Sequence, residues 1–280
     1  MSDSAERENG PGEAYVRGDD HPAFDTTVAH QARIYNYWLG GKDNYAADRK
    51  AAEEAVAAYP GVATGARANR QFLARAVSYL AGEAGIGQFL DIGTGIPTAN
   101  NTHEVAQSVS PGSRIVYVDH DPIVLAYARA LMASDDEGLI DYLDADLRHT
   151  QSILEQAART LDFSRPVAIM LIAILHAIGD DDDPYGIVAT LLDAVPSGSY
   201  LVLSHGASDI DAEQMAEVAR RINRASHQQF TPRGRGEVTR FFDGLELLEP
   251  GVVRVEAWRP VPGVEALDRS AMWGGVAVKR

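Results

Sequence analysis

Short apolar runs alternate along the chain with longer stretches that carry a single apolar stripe. A run of four to six apolar residues reads as a buried strand, and a stripe at spacing three or four reads as a helix. On this basis strands are predicted near 88–92, 114–119, 138–143, 167–172 and 200–204. Between them lie helices near 98–109, 122–133, 151–159 and 183–194. A long helix over 211–225 puts Met215, Val218 and Ile222 on one side, and strand-like runs recur near 245–248, 252–257 and 274–279. Strands that alternate with helices imply a mostly parallel, doubly wound α/β sheet covered on both faces.

The segment before residue 83 has helical patterning only. A helix over 27–39 carries Tyr35, Tyr37 and Trp38 and ends at Gly40-Gly41. An alanine-rich helix over 48–59 is closed by Pro60-Gly61, and a third over 67–80 aligns Phe72, Leu73, Ala76, Val77 and Leu80. Residues 1–22 mix acids with Gly10, Pro11, Gly12 and Gly18, a composition expected to stay disordered. The expected organisation is therefore a tail over 1–22, a helical cap or lid over 23–82, and an α/β domain over 83–280.

The most informative stretch is Gln88-Phe89-Leu90-Asp91-Ile92-Gly93-Thr94-Gly95-Ile96-Pro97-Thr98. A strand leads into a glycine turn and a helix, and the next strand, Ile115-Val116-Tyr117-Val118, ends on Asp119. That is the layout of a nucleotide-binding βαβ unit. The glycines allow a sharp turn and a close backbone approach to a ligand. Asp119 is placed to accept hydrogen bonds from ribose hydroxyls. A dinucleotide site would have a third glycine at Thr98, and Pro97 has no N–H for a pyrophosphate. Asp91 also adds negative charge where a diphosphate needs donors. A cationic or zwitterionic nucleoside such as S-adenosylmethionine suits these residues better.

Asp91-Ile92-Gly93-Thr94-Gly95 resembles motif I of class I S-adenosylmethionine-dependent methyltransferases, and Val118-Asp119-His120-Asp121-Pro122 is similar to their second motif. The likeness extends over about residues 25–280 to a bacterial branch whose members mostly lack an assigned substrate. Its stretches here run from Ala32 through Gly40-Gly41 to Tyr45, and over Arg240-Phe241-Phe242-Asp243-Gly244-Leu245-Glu246. Pro97 departs from the class, where many members have a third glycine. The resemblance implies a Rossmann-like class I methyltransferase fold with an N-terminal helical cap, and S-adenosylmethionine as cofactor, leaving S-adenosylhomocysteine as product. It implies cofactor contacts from Asp91, Gly93, Thr94, Gly95, Asp119, His120, Asp146, Leu147 and Ala173, with Tyr37 and Asn44 from the overlying segment. Asp146 falls where such enzymes place an acid near the adenine amino group. The other reading of Asp146 is a helix cap.

Composition narrows the partners. The 280 residues are 45% hydrophobic, enough for one large domain, and the formal charge is −15. Nucleic-acid binders need a basic footprint, so nucleic acid is not the expected partner. Without cysteine there are no thiol nucleophiles or thiolate metal sites. The acidic, polar start has no apolar signal core, and no apolar stretch reaches a membrane span, so a cytoplasmic protein without membrane contact is expected. Charge and an enclosing lid favour a small-molecule acceptor.

Several residues carry two readings. Asp119-His120-Asp121 includes metal-ligating types, but neighbouring strand residues point to opposite faces, so no metal is expected. His176 follows the fourth strand, where the resemblance puts the acceptor. It is the candidate general base, with a buried structural histidine as the other reading. His205 is a weaker candidate, and the acids at 180–183 read as a solvated helix start. The aromatic run with Asn36, Gly40-Gly41 and Asn44 reads as a lid or as core packing. Arg233-Gly234-Arg235-Gly236 reads as an exposed connector, or as a hold on an acidic substrate. Two rival functions remain beside methyl transfer: a non-catalytic protein that binds S-adenosylmethionine or S-adenosylhomocysteine, and an NAD(P)-dependent oxidoreductase.

Overall fold

A computed structural model describes residues 25–132, 139–261 and 270–280. The predicted tail over 1–22 lies outside the described residues. Five parallel strands form the centre of the sheet: β1 Gln88–Ile92, β2 Arg114–Asp119, β3 Ile140–Asp144, β4 Ala168–Ile172 and β5 Tyr200–Gly206. β8, Met272–Val278, pairs antiparallel with β5 and carries the short strands β6, Glu246–Leu247, and β7, Val253–Arg254. The order is β3-β2-β1-β4-β5-β8-β6. The chain therefore reverses direction across the sheet between β1 and β4, opening a crevice at their carboxyl ends.

The helices between the strands are α4 Thr102–Val109, α5 Pro122–Met132, α6 Thr150–Ala157 and α7 Pro184–Asp193. After β5 come α8, Ala212–Ala225, and α9, Arg235–Arg240. β1 and β4 are buried at every position, as central parallel strands are, and β1 carries Gln88 and Asp91 into that burial. Alternate residues feed two cores. Leu90, Ile92, Val116 and Val118 pack with Ile153, Leu154 and Leu191 on one face. Phe89, Ile115, Tyr117 and Met170 pack with Phe72, Ala76, Val77 and Leu80 on the other. This is the mostly parallel, doubly wound sheet that the sequence pattern predicts.

Three helices precede the sheet: α1 Gln31–Trp38, α2 Ala46–Ala58 and α3 Gly61–Gly82. α3 begins six positions before the predicted 67, because Pro60-Gly61 both closes α2 and opens the next helix. Its stripe makes α3 a structural face of the sheet, while α1 and α2 lean on α8 and the crevice. Buried polar ties fix them. Asp48 is fully buried, accepts the backbone N–H of His30 and Tyr45, and pairs with Arg33 at 3.2 Å. His30 Nδ1 lies 2.8 Å from Asp121 Oδ2, joining the start of α1 to the end of β2.

Two boundaries differ from the pattern. α4 starts at Thr102 instead of 98, because Gly93, Gly95 and Asn100 all have positive φ and hold the preceding residues as a loop. Asn101 then caps the helix: its N–H donates to Glu104 at 2.8 Å. The strand-like run at 252–257 yields only β7 before a 3-10 turn, Val255–Ala257, whose Val255 carbonyl accepts Arg75.

Candidate functional site

A cavity of about 330 Å³ sits over the carboxyl ends of β1, β2 and β4, within the range of small-ligand pockets. Its lining includes Asp91, Gly93, Thr94, Gly95, Asp119, His120, Asp146, Leu147, Ala173 and His176. The turn after β1 is built around two glycines. Gly93 adopts φ +76, and a Cβ there would fall 2.5 Å from Ile174. Its N–H and that of Thr94 donate to the Val118 carbonyl at 2.8 and 3.3 Å. Gly95, at φ +67, has open space where a side chain would stand. That space belongs to the cavity.

The Asp119 carboxylate is held by three backbone donors. Gly95 N–H reaches Oδ2 at 2.8 Å, and His120 and Asp121 N–H reach Oδ1 at 2.8 and 3.0 Å. A carboxylate has about four lone-pair positions, so accepting capacity remains toward the cavity. Asp91 lies deeper, only 4% exposed, and accepts the Thr102 hydroxyl at 2.6 Å. Burial lifts its pKa to about 6, only partly offset by the Thr102 bond and the Arg70 charge.

Arg70, on α3, also lines the cavity. Its Nη2 donates to the carbonyls of Ala99 and Asn100 at 3.1 and 2.9 Å, which holds the glycine loop from behind. Its buried Nε has no partner among the described residues. Sequence spacing does not mark Arg70. It reaches the site only because the α3 stripe packs against β1 and turns this residue toward the loop.

Asp146 reaches the cavity and also caps a 3-10 turn, Leu147–His149, accepting Arg148 N–H at 2.9 Å. Burial alone would raise its pKa, but the Arg148 hydrogen bonds and charge overcome this and bring it to about 2. Arg148 Nη2 lies 2.6 Å from Asp146 Oδ2, and its Nη1 lies 3.6 Å from Asp182 Oδ2. Asp183 caps α7, and Asp180 pairs with Arg233 at 2.6 Å, so three of the four acids at 180–183 have defined partners.

Tyr37 and Asn44 do not line this cavity. Tyr37 bonds Glu53 at 2.9 Å, and Asn44 is buried against Asn36 and the Gly41 carbonyl, both at 3.0 Å. Tyr35 lines it instead. Two residues along a helix are about 200° apart around its axis, so Tyr35 and Tyr37 cannot serve one face. Tyr35 donates to the Ala66 carbonyl and accepts from Asn69, each at 3.0 Å.

His176 is buried in a 3-10 turn, Leu175–Ala177. Its Nδ1 accepts the Gly206 N–H at 3.4 Å, which assigns the proton of the neutral ring to Nε2. Phe230 and His205 rings pack on it at 4.8 and 5.6 Å. Burial, with the nearby His205 and Arg233 charges, holds its pKa well below the usual value. His205 does not line the cavity. Its Nε2 accepts Arg233 at 3.0 Å, so Nδ1 carries the proton and donates to the Gly206 carbonyl at 2.9 Å. Burial brings its pKa to about 4.

Arg233 corrects the expectation of an exposed basic connector. It is 2% exposed and donates to the Leu175 and Ile178 carbonyls at 3.0 Å each, as well as to His205 and Asp180. It pins the turn that carries His176. Arginines beside glycines resemble a solvated loop in sequence, and only the tertiary fold brings the Leu175 and Ile178 carbonyls to Arg233.

Comparison with known proteins places these features in a family. A profile described as S-adenosyl methyltransferase matches residues 17–280. A crystal structure of a DUF574 family protein from Streptomyces avermitilis MA-4680 is 48% identical, with a TM-score of 0.86 over 91% of this chain and 99% of that one. A candidate methyltransferase from Thermobifida fusca YX is 41% identical, with a TM-score of 0.84 over 91% of this chain and 96% of that one. No curated protein matches the chain.

Proposed function

The chain belongs to the S-adenosyl methyltransferase family, and on that premise we propose how its cavity holds the methyl donor and what kind of acceptor it serves. S-adenosylmethionine is the donor, and the protein is a methyl-transferring enzyme. When bound, the donor would supply an electrophilic methyl group: the acceptor's lone pair forms the new bond, the carbon–sulfur pair returns to sulfur, and any proton on the acceptor passes to solvent water.

The single observation that carries the proposal is the charge pattern of the cavity wall. Asp119, Asp91 and Arg70 lie along it: an acid fixed at the end of β2, a buried acid below the loop and a guanidinium beside it. This pattern fits the donor's ribose hydroxyls, ammonium and carboxylate in turn. The open space beside Gly95 lets a ligand approach the backbone. Asp146 and Leu147 form the edge we assign to adenine, and Thr94, His120 and Ala173 complete the enclosure.

The acceptor is a small molecule that reaches the donor between Ala173 and His176. The neutral His176 ring offers Nε2–H as a hydrogen-bond donor. To remove a proton, it would need the other tautomer, at the cost of the Gly206 bond. We therefore assign His176 to orienting the acceptor, with proximity supplying most of the rate.

The test is methyl transfer from S-adenosylmethionine across a panel of hydroxyl, amine and carbon acceptors, read as S-adenosylhomocysteine formed. Parallel calorimetry compares S-adenosylhomocysteine with NAD. The expected result is tight S-adenosylhomocysteine binding, no NAD binding and turnover with at least one acceptor. NAD binding in preference to S-adenosylhomocysteine would overturn the assignment.

A further inference from the structure

A second pocket, of about 70 Å³, lies behind His176. It shares Gln31, Tyr35, Ala173 and His176 with the larger cavity, so the two are neighbouring chambers with a common wall. α1 and the start of α3 close one side of it and α8 the other, with Trp38, Met215, Phe230 and Met272 among its walls. We propose that this pocket takes the uncharged hydrocarbon edge of a ring-bearing methyl acceptor. The inference rests on the larger cavity being the cofactor site.

The polarity of the walls argues for this class. In a chain that is 23% charged, no Asp, Glu, Lys or Arg among the described residues lines the pocket. Apart from His176 Nε2 at the shared wall, the main polar donors of the lining already have partners. Tyr35 donates to the Ala66 carbonyl, Tyr59 to Asp211 at 2.9 Å, Trp38 to the Ala52 carbonyl at 3.3 Å, and Gln31 to the Gln229 carbonyl at 2.5 Å. A carboxylate or ammonium entering here would lose its hydration and find no counter-charge. An apolar group gains by leaving water, and the polarisable sulfurs of Met215 and Met272 adapt to a ring.

Size and polarity together fix the orientation. A cavity of about 150 Å³ takes a whole benzene. The smaller chamber therefore holds part of a ring, and the remainder projects through the shared wall. There His176 Nε2, which has no partner among the described residues, can donate to the acceptor's nucleophilic heteroatom. The apolar end is thereby sunk and the reactive end left facing the cofactor cavity.

The probes are p-cresol and 4-hydroxybenzoate, which match in shape but differ in one carboxylate. Each is titrated to millimolar concentration by ligand-observed NMR against protein saturated with S-adenosylhomocysteine. The proposal expects p-cresol to bind at least tenfold more tightly than 4-hydroxybenzoate. Gly65→Leu fills the pocket from α3, where a Cβ meets its nearest neighbours, Met272 and Ser270, at 3.8 Å without a clash. It should cut p-cresol affinity at least tenfold while S-adenosylhomocysteine affinity stays within twofold. Should that variant fail to fold, Phe230→Ala gives the opposite change: the enlarged pocket should shift preference from p-cresol toward 2-naphthol. Equal or stronger binding of 4-hydroxybenzoate overturns the proposal, as does absence of p-cresol binding to S-adenosylhomocysteine-loaded protein. Failure of S-adenosylhomocysteine to bind at all would instead strike the cofactor assignment beneath it.

Discussion

Asp119 Oδ2 accepts the N–H of Gly95 at 2.8 Å, so the acid that ends β2 holds the glycine loop that follows β1. One carboxylate thereby shapes the loop on one side and faces the cavity on the other. Its remaining oxygen is fixed by His120 and Asp121, so little reorganisation is needed when a ligand arrives.

The two loop glycines should respond differently to alanine. Gly93→Ala combines a positive φ with a Cβ 2.5 Å from Ile174, whereas Gly95→Ala meets nothing within 4 Å. Left-handed backbone costs a non-glycine residue about 1–2 kcal/mol, and overpacking adds about 1–3 kcal/mol. In urea unfolding, Gly93→Ala should lose more stability than Gly95→Ala. Equal losses would show that Ile174 yields without cost.

Asp91 links pH to both stability and binding. Its folded pKa of about 6 stands above the usual carboxylate value, so the folded state holds the proton more tightly than the unfolded chain. Its stabilising contribution is full below about pH 4 and is lost as pH rises through about 6. Asp91→Asn should therefore raise the ligand-free Tm at about pH 8. S-adenosylhomocysteine affinity should move the other way in the wild type, falling as pH drops through about 6, and should be flatter in Asp91→Asn. A Tm lowered by the substitution at that pH contradicts the burial cost.

For His176, the depressed pKa removes the usual histidine titration from the neutral range. The neutral ring is present above that depressed value. At saturating S-adenosylmethionine, the methyl-transfer rate should thus stay flat as pH falls through about 6.5, where an unperturbed imidazole would protonate. His176→Gln, which keeps a donor, should retain more turnover than His176→Ala, with cofactor affinity nearly unchanged in both. A rate that falls with an apparent pKa near 6.5, together with equal loss in the two variants, would restore the general-base role.

The sheet is readable in sequence because its central strands are buried on both faces and carry dense apolar runs, with β4 apolar throughout. Asp91, Gly93, Gly95 and Asp119 were readable because a turn and a strand end are local features. Arg70, Tyr35 and Arg233 were not. Arg70 depends on how α3 rotates against β1, Tyr35 on the exact phase of α1, and Arg233 on carbonyls 55 and 58 residues earlier in the chain. The resemblance points to Tyr37 and Asn44, but helical phase turns Tyr37 to Glu53 and Asn44 is buried against Asn36.

Residues 33–45 give a fourth prediction. Asn36 Oδ1 accepts both the Asp43 N–H and the Asn44 amide at 3.1 and 3.0 Å, and Arg33 pairs with buried Asp48. These ties favour a standing wall over a hinged lid. Amide exchange here should be slow before ligand is added and change little after. Strong protection that appears only with S-adenosylhomocysteine would make the segment a closing lid.

The most direct test of the central claim is calorimetric titration of S-adenosylhomocysteine into wild-type protein and Asp119→Ala. Loss of charge-assisted hydrogen bonds to the ribose is worth about 1.5–3 kcal/mol, and loosening of the Gly95 turn adds to it. Affinity should fall by roughly ten- to a hundredfold or more. An unchanged affinity in a variant that remains folded would contradict the assignment of this cavity as the cofactor site.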